Sequence, residues 1–368
     1  MQTIPAKQFT VEFDDTYFQK FVANDGTEYG LRFGNANDAK AISSIFKEIY
    51  GYNYVNPLVY DIELLKKELK KENNFWFVGE SLKTKEIAGA GLLQVERYIA
   101  QASKAVTKKK YQGKGITSKI GAAGIITVIK MPQFKNILRL DFEIRGSEIG
   151  AQKLAQYAGA FPYSLIPAYA NFGDRRNFNI EDNKPFPPQR EESVFLYSIL
   201  FKNLWSKRDK KVFLLNNGDI IFFYEFVKKM HKKMKDDILI LEDYKKDNSY
   251  ELYGVSKDSY MGIVKLYGYI KKKSLNSLIR TYHDWRIILW RIPTTQNGIA
   301  SMHVALNKGF RIVGYDIGFN NINWILYDSI ILAYYPNNHR KPLKLNCLEI
   351  NKPLLKEVNK LFEVKRVF

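Results

Sequence analysis

Tyr111-Gln112-Gly113-Lys114-Gly115-Ile116-Thr117-Ser118 gathers the residue types that hold an anion. Its two glycines open an apolar helical pattern running from Ile116 to Ile129, with a lysine and two hydroxyls beside them. Amides of a first helical turn lack partners within the helix, and the helix dipole adds positive potential there. Glycine lets a phosphate approach because no Cβ intervenes. Alone, so short a Gly-x-Gly is first of all the pattern of a tight turn, so its flanks decide.

The other chemistry lies in carboxylates. Ile137–Arg145 alternates, with Leu138, Leu140, Phe142 and Ile144 on one side and Arg139, Asp141, Glu143 and Arg145 on the other. Glu96 closes an earlier strand pattern. His231, His283, His303 and His339 show no ligand spacing, so no metal site or triad is expected. The single cysteine, Cys347, excludes an intramolecular disulfide and cannot by itself make a zinc site.

A chain of 368 residues is too long for one small core, so two domains are expected. The 46% hydrophobic content argues for packed structure over disorder. No apolar run reaches the roughly 18–20 residues of a membrane span, and the N-terminus lacks a signal layout. The expectation is a soluble cytoplasmic protein. A net charge of +19 can attract nucleic acid, anionic lipid or a polyphosphate ligand. Its lysines come in scattered short clusters, which reads first as background solubility charge and second as an acidic partner, a nucleotide cofactor included.

Several elements must position these groups. Residues 1–27 read as an N-terminal arm, and Tyr29–Phe33 as a strand. Asn35–Asp38 caps a helix carrying Ala41, Ile42, Ile45, Phe46 and Ile49. A tyrosine-rich loop, Tyr50–Tyr60, precedes a second helix at Asp61–Lys71. Strands follow at Phe75–Glu80, Ile87–Val95 and about Gln101–Thr107, and then the glycine run and its helix, stopped by Pro132. After the alternating strand come a helix (Ser147–Ala158), Gly159-Ala160-Phe161, and strands at Tyr163–Ile166 and Ser193–Phe201. Asn171–Glu192 reads as a long loop or lid, and Lys207–Lys211 as a charged joint. Beyond it the spacing predicts helices near Ile220–Lys235, Ser274–His283 and Gly298–Lys308, and strands at Ile238–Leu241, Tyr250–Val255, Tyr260–Tyr269, Arg311–Tyr315 and Asp328–Tyr335.

This order, with Gln112-Gly113-Lys114-Gly115-Ile116-Thr117 after a mid-sheet strand, resembles the GNAT superfamily of acyl-CoA-dependent N-acyltransferases. Its signature is Arg/Gln-x-x-Gly-x-Gly/Ala. Five of six positions conform, and Thr117 replaces the last small residue. The likeness covers about residues 29–201. Residues 212–336 look like a second, degenerate copy, in which Asn297–Phe310 is similar to the last helix of the family and no second glycine run occurs. The resemblance implies an α/β (α+β) fold: a mixed, mostly antiparallel sheet flanked by helices, in two tandem domains. These would be 28–206 with the acyl-CoA site and 212–368 without a cofactor.

It further implies that two central strands splay around the pantetheine arm of acetyl-CoA or another acyl-CoA. Val106, Thr107 and Lys108 would bind that arm. The amides of Gln112, Gly113, Lys114, Gly115, Ile116 and Thr117 would hold the pyrophosphate, with Ser118 beside them. Ser147 and Gln152 would touch the arm from the following helix. Acyl transfer to an amine needs a base, an oxyanion donor and an acid for the thiolate. Glu143 is the first choice of base, with Asp141 and Glu96 as alternatives. The family tyrosine acid would fall at Ala155, so Tyr157 is the nearest candidate. The implied partner is an amine-bearing small molecule or peptide; the sequence leaves its identity and the oligomeric state open. Two alternatives remain. Aminoacyl-tRNA-dependent transfer suits the charge but not the intact glycine run, and the other is a CoA-binding protein without turnover.

Overall fold

The computed structural model describes residues 16–113, 121, 130–172, 190–242, 251–337 and 343–363. Two units separate, Met1–Ile137 and Leu138–Phe368. In the first, β1 (Gln19–Val22), β2 (Glu28–Phe33), β3 (Asn74–Ser81), β4 (Ile87–Glu96) and β5 (Ile99–Thr107) pair in that order, every neighbour antiparallel. The residues 16–27 that begin the description include β1, hairpinned onto β2. Asn35 and Asp38 form a capping box just ahead of α1 (Ala39–Tyr50), and Asp61 caps α2 (Ile62–Leu69). Ile42, Ile45, Phe46, Leu65 and Leu69 from these helices pack on Trp76, Val78, Ala90, Leu92 and Val106 of the sheet, as helical spacing against strand alternation requires.

The second unit opens with β6 (Arg139–Arg145), α3 (Ile149–Tyr157), β7 (Phe161–Phe172) and β8 (Arg190–Leu200). Next come α4 (Lys202–Lys207), β9 (Lys211–Leu215), α5 (Gly218–Met230), β10 (Asp237–Leu241), β11 (Leu252–Asp258), β12 (Ile263–Tyr269) and α6 (Lys272–Thr281). It ends with β13 (Ile287–Pro293), α7 (Gln296–Asn307), β14 (Arg311–Ile322), β15 (Ile325–Tyr334) and α8 (Lys352–Glu363). The ladder order is β6-β8-β7-β14-β15-β13-β12-β11, antiparallel throughout except β12–β13; β9 and β10 form a separate parallel pair. The fold class expected from the sequence, a mixed and mostly antiparallel sheet with helices, is the one observed in each unit.

A repeat is built into this unit. β6-α3-β7-β8 pairs in the order β6-β8-β7, and β13-α7-β14-β15 in the order β13-β15-β14. Each helix runs out into a left-handed glycine, Gly159 (φ 86) and Gly309 (φ 84). β7 bulges between Ile166 and Ala170, and β14 between Asp316 and Asn320. Both bulges contain a positive-φ residue, Ala168 and Gly318, whose amide donates to a side chain on the neighbouring strand: Ser193 Oγ at 3.2 Å and Asp328 Oδ1 at 2.9 Å. The two copies meet where β7 pairs with β14, Ser164 opposite Gly314.

β6, β7 and β8 share one ladder with β14, across the expected joint at Lys207–Lys211. The charged joint is no linker. Arg208 is buried, donating to Asp328 (Nε to Oδ1, 2.6 Å) and Asp236 (Nη1 to Oδ1, 2.6 Å). The sequence reading also left out α8, although Leu354, Val358 and Leu361 stand at helical spacing and are buried. Among the described residues no helix is long and apolar enough to cross a membrane.

His231, just past α5, sits edge-on to Phe161 (5.1 Å between ring centres) and near Trp205 (5.8 Å). Burial, with Arg208 adding to it, lowers its pKa to about 4 from an ordinary 6.5. A base depressed by folding contributes stability that is complete above pH 6.5 and is lost as pH falls toward 4. His231→Phe should therefore flatten the fall of Tm between those two pH values, measured by thermal melts across that window.

Candidate active site

In the first unit the candidate cradle begins where β5 bulges. Ala90 pairs with Val106 but Leu92 with Ser103, so β5 carries one extra residue there, and Lys104 sits at φ 52. A bulge re-aims the strand beyond it, here Val106, Thr107 and Lys108. Gly89 permits the close approach, since a Cβ there would meet the Val106 carbonyl oxygen at 2.8 Å. A short turn at Lys109–Tyr111 leads to Gln112, whose side-chain amide donates to the Thr107 carbonyl at 3.1 Å. Gly113 follows at φ 74 with open space where a Cβ would project. Lys114, Gly115, Ile116, Thr117 and Ser118 lie outside the described residues.

Glu86 organises the basic side chains here. It accepts from Tyr111 Oη at 2.8 Å and pairs with Lys108 and Lys110. Lys108 and Lys110 hold the Glu86 carboxyl down at about 2. Glu48 accepts the Lys109 amide at 2.9 Å. The Lys108 side chain is thus already paired, and the contact expected of this residue with the cofactor arm is through its backbone. The tyrosine-rich loop packs on itself: Phe46–Tyr54, Tyr50–Tyr54 and Tyr52–Tyr60 lie 4.9, 5.0 and 5.1 Å apart, and Tyr60 Oη accepts the Tyr54 amide. These rings fill the loop they belong to. Glu96 is exposed at the hairpin end of β4, seven residues from Gly89, which pairs with Thr107. At ~3.3 Å per residue that is roughly 20 Å from the turn, too far for a base acting beside it.

In the second unit Glu143 belongs to a cluster of polar side chains. Tyr169 Oη donates to Glu143 Oε1 at 2.8 Å, and Lys265 Nζ stands 4.0 Å from the same oxygen. Burial first, and Glu143 second, push the Tyr169 phenol up, so it stays protonated and donates. Tyr169 and then Glu143 hold the Lys265 ammonium above its usual range against desolvation. β6 and β12 are six ladder steps apart, roughly 29 Å along a flat sheet. Contact between their side chains means that the sheet curls over its polar face. Deeper in, Arg139 pairs with Asp141 (2.8 Å) and Asp316 (2.7 Å), and Arg291 donates to Asp316 at 3.1 Å. Phe319, carried in by the β14 bulge, lies 4.3 Å from the Arg291 guanidinium and 5.5 Å from that of Arg139. Burial raises the Asp141 carboxyl to about 6, against the pull of Arg139.

Three expected site residues take other roles. Gln152 is fully buried: its amide donates to the Gly146 carbonyl (3.0 Å), and its oxygen accepts from Asn351 Nδ2 (2.8 Å) and the Leu348 amide (3.2 Å). It pins the C-terminal segment and presents no surface to a cofactor. Tyr157 ends α3 at 74% exposure, and Ala155, the position of the family acid, is buried. Ser147 is exposed and donates to Glu192 Oε2 at 3.2 Å. Lys265, Tyr169, Arg291 and Asp316 were not anticipated. Their signal was there: a charge or phenol inside an apolar strand pattern.

The repeat lacks an open slot. β12 and β13 stay paired over five consecutive residues, Ile263↔Ile287 to Tyr267↔Arg291. At the start of the intervening α6, Glu251 accepts from the Lys271 amide (3.1 Å) and Ser274 Oγ (3.0 Å), putting the protein's own carboxylate where an anion would dock. Among the described residues, no cluster of His, Cys, Asp or Glu could hold a metal ion.

No family model matches the chain, and no curated protein does. Solved structures do. A ribosomal-protein-S5-alanine acetyltransferase from Vibrio fischeri is 16% identical, covering 50% of this chain and 98% of its own at a TM-score of 0.37. The ribosomal-protein-S18-alanine N-acetyltransferase from Escherichia coli is 14% identical (47% and 93%, TM-score 0.36). A variant spermidine N-acetyltransferase from Vibrio cholerae is 15% identical (47% and 93%, TM-score 0.36). The solved structures that this chain is similar to are GNAT-family acetyltransferases, each matched over about half of it.

Proposed function

We propose that the chain is a tandem GNAT-type N-acyltransferase that moves an acyl group from acetyl-CoA, or a longer acyl-CoA, to a primary amine. The observation that carries this reading is the bulged end of β5 running into left-handed Gly113, directly ahead of a glycine-opened apolar run. The first copy is 28–206 and the second 212–368; the repeat of strand order and bulges supports the duplication. Zipped β12–β13 and the Glu251 cap support a second copy without cofactor.

Residues 106–108 and 112–118 would hold acyl-CoA, which supplies the activated thioester. Glu143 takes the proton from the acceptor ammonium, and the freed amine nitrogen attacks the thioester carbonyl. The C–N bond forms, the C–S bond breaks, and the departing thiolate takes the further proton that the nitrogen sheds as it becomes an amide. Gly115→Glu sets a carboxylate among the proposed phosphate donors. It should weaken CoA binding by at least roughly 100-fold, a size that repulsion within a partly desolvated site readily supplies. Calorimetric titration of the folded variant checks this, and unchanged affinity would sink the site. Exposed Tyr157 and buried Ala155 favour one second reading, a CoA-binding protein without turnover. It gains if CoA binds and no member of an amine panel is acylated.

A further inference from the structure

Glu143 and Lys265 keep 29% and 23% of their side-chain surface, whereas Arg139 and Asp316 keep 0% and 1%. The cluster therefore runs from a partly exposed pair, Glu143 and Lys265, to a buried pair, Arg139 and Asp316. The partly exposed pair is held at 4.0 Å, beyond hydrogen-bond reach but in close Coulomb contact. Tyr169 secures Glu143 Oε1, and among the described residues Oε2 accepts no hydrogen bond. Arg139, Arg291 and Lys265 face Asp141, Asp316 and Glu143, so the charges of the cluster balance, three against three.

That balance restricts what can enter. A simple ammonium that takes Glu143 leaves Lys265 without its counter-charge in a partly desolvated site, which is costly. A ligand carrying both signs leaves the sum unchanged. Glu143 exchanges Lys265 for the ligand ammonium, and Lys265 exchanges Glu143 for the ligand carboxylate. We infer that the partly exposed end of this cluster seats a free α-amino acid, its amine toward Glu143 and its carboxylate toward Lys265. The inference names the acceptor class for the transfer proposed above and rests on Glu143 facing the acceptor. Lys265 is then a positioning residue, set by the second copy against a carboxylate of the first.

The test is equilibrium binding to the full chain without CoA, by calorimetry or saturation-transfer NMR. The probes are matched pairs: alanine and ethylamine, phenylalanine and phenethylamine, lysine and cadaverine. Each amino acid should bind at least roughly tenfold tighter than its decarboxylated partner, the size of one partly buried charge pair. Lys265→Met should erase that preference, with the amines binding more tightly because no ammonium is stranded beside them and the amino acids gaining nothing from their carboxylate, and Lys265→Arg should retain it. Equal binding within the pairs, binding of neither series, or an equal loss of both in Lys265→Met would overturn the assignment. A CoA titration of the same sample separates the two readings. Amino-acid preference without CoA affinity removes the transferase and keeps the seat; CoA affinity without preference does the reverse.

Discussion

Glu143→Gln is expected to lower kcat/KM for acyl transfer by roughly 10²–10⁴-fold, the usual contribution of a positioned general base. The isosteric amide still accepts the Tyr169 hydrogen bond, made at 2.8 Å in the parent, so the local geometry should persist and Tm should hardly move. The competing base is Asp141, which lies on the same polar face of β6 and is held at about 6 by burial. A base works when deprotonated, so a rate limited by Asp141 would rise with pH through a midpoint near 6. If Glu143→Gln retains most of the activity together with such a limb, the base is Asp141. Loss of turnover at every pH, with CoA affinity intact, assigns it to Glu143. Steady-state rates from pH 5 to 9 on both proteins decide between them.

Arg208→Met should be the most destabilising single change of a polar residue in the second unit, by about 3–5 kcal/mol. It strands two buried carboxylates: the side chains of Asp236 and Asp328 have no exposed surface, and Arg208 bridges both. Asp328 also accepts from Tyr315 Oη and the Gly318 amide, and Asp236 from Tyr224 Oη. Loss of the arginine therefore reaches the β14 bulge that carries Phe319 against Arg291 and Arg139. Removing the stranded charges as well, in Arg208→Met/Asp236→Asn/Asp328→Asn, should recover much of the loss, because desolvation offsets most of the attraction in a buried pair. Urea denaturation of the three proteins measures this. Equal stability of Arg208→Met and the parent would contradict the network.

Helices and strands were legible where the period was clean. Ile42, Ile45 and Phe46 announced α1, and the alternation from Leu138 to Ile144 announced β6 with its carboxylates on one side. Lys207–Lys211 misled because a run of charges reads as a solvated joint, and nothing local tells that Arg208 has two buried acids waiting. Strand β7 was expected over Tyr163–Ile166; it runs on through Pro167 to Phe172 because the bulge accommodates the proline and Ala168 takes a positive φ. Gln152 sits on the helix face where a cofactor contact was expected, but Asn351, 199 residues later, donates to its side-chain oxygen.

Local sequence by itself determined the elements, the polar face of β6 and the glycine turn after β5, because each depends on the period or φ preference of neighbouring residues. It also carried the trace of duplication, in Gly159-Ala160-Phe161 and Gly309-Phe310. Only the tertiary structure decided which charges meet. Lys265 reaches Glu143 because the sheet curls through six strand-to-strand steps. That curl comes from accumulated twist and the paired bulges of β7 and β14, which no short window of residues encodes.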